Sequence, residues 1–244
     1  MRHGTEKAGG RVAQEPVTVW ARPERGTRGP AAVHSRAELT AVAVELADRS
    51  GLSAVSMRQV AKALGVGQAS LYRYISGRED LLDLMTDSAA GEIDLDVPLS
   101  GDPVADLAAL AARTRTVHLR HHWLSEIPPE PLRLGPRSLD YLEYALRAMA
   151  AVPLPGQTKM EIVALMNALI SQFARAELQV SHANTDRQAA QAAYLSETAA
   201  KGDHPHVAAA MADHTEAGPA ESPHALFERA MHRVLTGLVA PSSS

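Results

Sequence analysis

Six side chains able to grip a base edge or a phosphate stand close together near the start of this chain. Gln68, Ser70, Tyr72, Arg73 and Tyr74 fall within seven residues, and Arg58 lies ten residues before Gln68. Amide, hydroxyl and guanidinium groups make the hydrogen bonds that distinguish bases in a major groove. No Asp or Glu occurs between Ser56 and Arg78, where Arg58, Lys62, Arg73 and Arg78 give a net charge of +4, while the whole chain carries −4. A cationic face on an acidic protein fits a polyanionic partner such as duplex DNA.

The elements that must hold these groups are legible in the same run. Ser56 can N-cap a helix with Gln59 three residues on, an S-x-x-Q capping box. Met57, Val60, Ala61 and Leu64 then mark one buried face at helical spacing. Gly65 can end that helix in the left-handed conformation that side chains resist, and Val66 plugs the turn. A second helix is expected from Gln68 to Ile75, burying Leu71 and presenting Gln68, Ala69, Ser70, Tyr72, Arg73 and Tyr74. A second box, Ser76-x-x-Glu79, opens a third helix carrying Leu81, Leu82, Leu84 and Met85. Two short helices around a glycine turn form a helix-turn-helix, which lays its second helix in the major groove.

With MRQVAKALGV, SLYRY and GREDLL in place, Ser56–Leu82 resembles the DNA-binding domain of the TetR family of bacterial repressors. Ser35–Gly51 resembles the family's first helix, through Leu39, Val42, Ala43, Leu46 and Ala47, and Gly51-Leu52 its short connection onward. Ile75 stands where the family often has an aromatic residue, and Arg78 where it often has lysine. The resemblance implies that Gln68 and Ser70 meet base edges, Tyr72 a thymine methyl or a phosphate, and Arg58 a guanine. It implies that Ser35, Ser56, Tyr74 and Arg78 serve phosphates, which position the protein without reading sequence.

Three segments follow from composition. Residues 1–34 carry six Arg or Lys against three Glu, with many Gly and Pro and no periodicity, so a disordered basic extension is expected. Residues 35–90 form the helix-turn-helix domain. Residues 91–244 hold 12 basic and 18 acidic side chains, a balance that disfavours DNA, and are expected to form a helical ligand-binding and dimerisation domain. Helical spacing recurs there over Val104–Trp123, Arg137–Ala150, Gln157–Val180 and His224–Val239. The chain is therefore expected to be all-α.

Gln157–Val180 is apolar around nearly its whole circumference, with Glu161 the one charged residue between Met160 and Ala174. Such a helix seeks cover on every side. A four-helix bundle of this helix and His224–Val239 with their symmetry mates is expected, giving a homodimer. The resemblance implies the same, and the HHW and LGP segments look most similar to a tetracycline-repressor-like C-terminal domain. It also implies release from a palindromic operator by a small-molecule inducer bound in that domain. Candidate lining residues are His118, His122, Trp123, Tyr141, Tyr144, Met149, Met166, Asn167 and Phe173.

Other chemistries leave weaker traces. His118, His121 and His122 share one helix face at a spacing that can hold zinc, the basis for an alternative metal-binding enzyme or sensor. No H-E-x-x-H, G-x-S-x-G, P-loop or dinucleotide glycine fingerprint accompanies them, so no catalytic residue, metal or cofactor is expected. A nucleoid protein binding DNA without sequence preference is the other alternative. Cysteine is absent, excluding disulfides and thiolate chemistry. The first thirty residues lack an apolar run, and no stretch approaches the roughly 18 apolar residues of a membrane span, so a cytoplasmic location is expected.

Overall fold

Ser35 opens the first helix by accepting the Glu38 N–H on its hydroxyl at 3.1 Å, and the Glu38 carboxylate accepts the Ser35 N–H at 2.8 Å. This reciprocal box closes two of the donors that a helix start leaves open, and α1 runs Arg36–Ser50. The computed structural model describes residues 18–22, 34–127, 133–180, 185–216 and 221–240. Among these residues every regular element is helical, so the fold is all-α.

α2 (Met57–Ala63) is capped by Ser56, whose hydroxyl accepts the Gln59 N–H at 3.3 Å; the return bond from Gln59 is not formed. Gly65 ends the helix at φ +69°, where an L side chain would be strained. α3 is shorter than expected, Gln68–Leu71 rather than Gln68–Ile75. The chain beyond it tightens, with i→i−3 bonds from Arg73 to Ser70 and from Tyr74 to Leu71. Leu71 and Ile75, one turn apart, anchor this turn in the core, leaving Tyr72 and Arg73 exposed and Tyr74 half-buried.

α4 runs Arg78–Ala90, and the Ser76–Glu79 box expected at its start is absent. Gly77 is the N-cap. The Ser76 hydroxyl is taken by Arg22, its N–H donates to Asp80 at 2.5 Å, and Glu79 turns outward to Arg133. A hydrogen bond from Arg22 and an ion pair with Arg133 thus draw both halves of the expected box away.

The larger half comprises α5 (Pro103–Arg120), α6 (Pro136–Ala148), α7 (Gly156–Val180), α8 (Thr185–Ala200), α9 (Pro205–Glu216) and α10 (Pro223–Val239). Asp102 caps α5 through the Val104 and Ala105 N–H groups. Ser222 caps α10 through Ala225. α8 and α9 pack on each other, and residues 217–220 between α9 and α10 lie outside the described residues. Among the described residues no helix is long and apolar enough to cross a membrane.

Two apolar cores organise these helices. The first gathers Leu39, Ala43, Val60, Leu71, Ile75, Leu81 and Met85 from α1–α4 and the turn after α3, and takes in Val117 and Trp123 from the larger half. The second gathers Leu107, Leu110, Tyr141, Met149, Met166, Ile170, Phe227 and Leu235 from α5, α6, α7 and α10. Ile93 touches both.

α7 leaves apolar surface uncovered within one subunit: Ile162, Val163, Met166, Ile170 and Ala174 are buried, while Leu165 is 49% exposed. The surface left for a partner is therefore on the Leu165 side. One expectation changes here, because the N-terminal extension is not uniformly unstructured. Val19–Ala21 form a 3-10 turn, and Val19 is fully buried in the first core. Residues 1–17 and 23–33 lie outside the described residues.

Candidate nucleic-acid interface and ligand cavity

The turn between α2 and α3 leaves the cationic side chains of the reader domain open to solvent. Arg58, Lys62, Gln68, Ala69, Tyr72, Arg73 and Arg78 are exposed, while Ser70 and Tyr74 are half-buried. Tyr72 is 53% exposed although it follows the fully packed Leu71. Ser35 and Ser56 sit at the N-caps of α1 and α2, their hydroxyls accepting the Glu38 and Gln59 N–H groups. Arg78 also donates to the Leu52 carbonyl at 3.4 Å, which ties it to the domain it sits on.

A cavity of about 420 Å³ lies behind this domain, within the size range of small-molecule sites. Its wall draws on α4 (Thr86, Ala89, Ala90), α5 (Thr114, Val117, His118), α6 (Ser138, Tyr141, Leu142) and α7 (Met160, Val163, Ala164, Asn167). Ile93, Leu124, Ile127, Arg133 and Leu134 complete it. A second cavity of equal volume is walled largely by charged groups of the 91–96 loop, Arg137 and Asp140, and is less suited to an apolar guest.

Of the nine candidate lining residues, the structure brings His118, Tyr141 and Asn167 to the cavity. The other six lie elsewhere. α5 ends at Arg120, and His122–Glu126 form a 3-10 turn that carries Trp123 into the first core, where its indole N–H donates to Asp48 at 2.7 Å. His122 is exposed. Tyr144 is buried with its hydroxyl on the Val97 carbonyl at 3.0 Å. Met149 and Met166 are fully buried packing, and Phe173 stacks edge-on against Phe227 at 5.5 Å. The sequence reading missed the α4 wall and Arg133, Leu134 and Ser138. Nothing local marks them, because a cavity wall and a core use the same side chains.

The three histidines of α5 and its end do not converge. His121 is buried, with Nδ1 2.7 Å from Asp48 and Nε2 3.0 Å from Glu92. His118 faces the cavity and His122 is exposed. Among the described residues no group of three His, Asp or Glu could hold a metal ion.

His118 Nδ1 is buried without a hydrogen-bond partner. Burial, and secondarily the charge of His121, push its imidazole down from 6.5 to about 4. His118 is therefore neutral in the folded protein at neutral pH. The unfolded chain takes up this proton near pH 6.5 and the folded chain only near 4, so stability is lost as pH falls through that window. The loss at pH 5 is expected to be about 2 kcal/mol, and His118→Asn removes it. Urea unfolding at pH 7 and pH 5 checks this; an unchanged pH dependence in the variant would sink it.

Burial raises the Tyr141 phenol, only partly offset by hydrogen bonds with Thr114 and Asn167. The neutral phenol donates to Asn167 Oδ1 at 2.6 Å.

The cavity wall is joined to the reader domain by charged contacts. Asp87 of α4, 4% exposed, accepts the Ser138 N–H at 2.9 Å and its hydroxyl at 3.0 Å, capping the start of α6 from across the domain boundary. One and two turns earlier on α4, Asp83 and Glu79 pair with Arg133 at 2.7 and 2.6 Å. Any side chain at Gly135 would strike Asp87 and Trp20 within 2.5 Å, which holds this approach to glycine.

Known proteins share this arrangement. Residues 39–85 match "Bacterial regulatory proteins, tetR family", and residues 98–241 match "Tetracyclin repressor-like, C-terminal domain". The HTH-type transcriptional repressor DrrR1 of Streptomyces coeruleorubidus is 32% identical, over 96% of this chain and 88% of its own. Apo ActR of Streptomyces coelicolor superposes with a TM-score of 0.72 at 22% identity, covering 87% of this chain and 97% of ActR. ActR in complex with actinorhodin gives 0.71 at 21% identity, with 87% and 99% covered. A cationic helix-turn-helix joined through α4 to a larger helical domain, with a cavity between them and both segments matched, makes this chain a member of the TetR family of bacterial transcriptional regulators.

Proposed function

We propose that this protein binds a palindromic operator as a homodimer, represses transcription from it, and is released when a small molecule fills the α4–α7 cavity. The observation that carries this is the position of α4. Thr86, Ala89 and Ala90 wall the cavity, while Arg78 at the other end of the helix borders the DNA-reading surface. A guest that fits only one placement of α4 shifts the population toward that placement. Its differential affinity is the whole source of the switch.

The cavity's chemistry bears on the guest. Neutral His118 offers one unsatisfied ring nitrogen. Tyr141 occupies Asn167 Oδ1, so the amide N–H pair is what Asn167 has left to give. Arg133 is engaged by Glu79 and Asp83. The remaining wall is mostly apolar, so an uncharged guest with a ring system and a carbonyl or hydroxyl oxygen fits best. ActR has been crystallised with actinorhodin, which makes that compound a reasonable first probe.

Each subunit would present Gln68–Tyr74 to one major groove, with half-sites about one helical turn or slightly more apart. Gln68, Ser70, Tyr72 and Arg58 would face bases, with Ser35, Ser56, Tyr74 and Arg78 on phosphates. The dimer would form through exposed apolar positions of α7 and α10, among them Leu165, Leu226 and Val234. Such a role places the protein in the cytoplasm and calls for no catalytic group or cofactor.

Selection from random duplex DNA at near-physiological salt, followed by sequencing, tests this directly. An enriched inverted repeat is the expected result, and displacement of the protein from it by actinorhodin or related ring compounds tests the cavity. Binding with no enriched motif would instead identify a nucleoid-type protein.

A further inference from the structure

We propose that Thr18–Arg22, a segment ahead of both family-matched regions, is a strap that sets the pose of the recognition helix, with Trp20 and Arg22 as its positioning residues. At one end Val19 is fully buried in the first core, and Trp20 packs beside it. The Trp20 ring also reaches Gly135, where a Cβ would come within 2.5 Å of it. That seats the strap at the junction of α4 and α6.

At the other end Arg22 grips the exit of the recognition helix. Its guanidinium pairs with Asp80 at 2.8 Å and donates to the Ser76 hydroxyl. Asp80 in turn accepts the Ser76 N–H at 2.5 Å. Arg36 completes the clasp, donating to the Arg22 carbonyl at 2.9 Å and to the Tyr74 carbonyl at 3.0 Å. Tyr74 and Ser76 flank Ile75, the buried residue that ends the turn after Tyr72. Arg22 of the strap, Arg36 of α1 and Asp80 of α4 therefore hold the chain just past the base-reading residues, with two of their bonds on the Tyr74 and Ser76 backbone. α3 itself has only four residues and no side-chain cap, so little within it resists reorientation.

A positioning role differs measurably from phosphate contact. Arg22 as a phosphate ligand would contribute to binding on any sequence and to the salt dependence. Arg22 as a clasp matters only where Tyr72 and its neighbours must align with particular bases. The inference rests on specific operator binding by the wild-type chain, so the wild-type selection is done first; its failure would be that of the proposed function.

Using the full-length chain, the selected operator and poly(dI-dC), affinities are compared for wild type, Arg22→Ala, Asp80→Ala and the double variant. Expected is about a tenfold loss on the operator for each single variant, no further loss in the double, and unchanged poly(dI-dC) affinity and operator salt slope. Arg22→Lys should recover part of the loss. Trp20→Ala should show the same selectivity loss, with its thermal unfolding recorded to detect a general loss of fold. The proposal is overturned if Arg22→Ala leaves operator affinity unchanged. It is equally overturned if operator and poly(dI-dC) affinity fall together with a salt slope reduced by about one, which makes Arg22 a phosphate contact.

Discussion

Tyr72→Ala lowers affinity for the selected operator by roughly ten- to a hundredfold, with the fold and the dimer unchanged. The size follows from the roughly 1–3 kcal/mol that a good base-reading contact contributes. The selectivity of the effect follows from placement. Tyr72 is 53% exposed, beside the fully packed Leu71 and three residues before the fully packed Ile75, so removing its ring opens no cavity in the core. Fluorescence anisotropy on the operator, with sizing and thermal unfolding alongside, checks the result. Unchanged affinity would remove Tyr72 from the interface and shift the reading role to Gln68, Ser70 and Arg58.

The second large effect separates two faces of α7. Ile170→Asp places a carboxylate at a position with no exposure inside a single subunit, against α5 and α10. A buried unpaired charge costs at least about 4 kcal/mol, a large share of ordinary domain stability, so this variant should lose cooperative unfolding altogether. Leu165→Asp acts on a residue already 49% exposed, and should leave the subunit folded but monomeric and unable to hold a two-half-site operator. Sizing with multi-angle scattering and thermal unfolding distinguish the two. A Leu165→Asp protein that stays dimeric would sink the Leu165 dimer face, and a folded monomer from Ile170→Asp would move that face to Ile170.

How far the chain could be read without its structure depended on the range of the forces involved. The cap at Ser56, the turn at Gly65, the buried positions of α2 and the exposure of Gln68, Tyr72 and Arg73 are settled by contacts within one or two turns, and residue types report such contacts directly. The same locality made the helix-turn-helix and its family resemblance legible. The reading failed where a local rule met a distant competitor. Ser76 looked like an N-cap, but Arg22 holds its hydroxyl and Asp80 its N–H. Glu79 looked like the second half of that box, but Arg133 draws it away.

The cavity shows the sharper limit. Asn167 was legible because a polar group on an apolar helix demands a partner, and Tyr141 supplies it. Trp123, Met149 and Met166 are the same kinds of residue as those on the wall, yet they fill cores. Whether an apolar side chain faces a void or a neighbour depends on how helices from distant parts of the chain cross. Residue type and spacing by themselves determined the helices, the charged reading surface and the family. Tertiary structure decided which faces met, where 420 Å³ stayed open, and that Thr18–Arg22 folds back onto the reader domain, because packing couples residues that no periodicity connects.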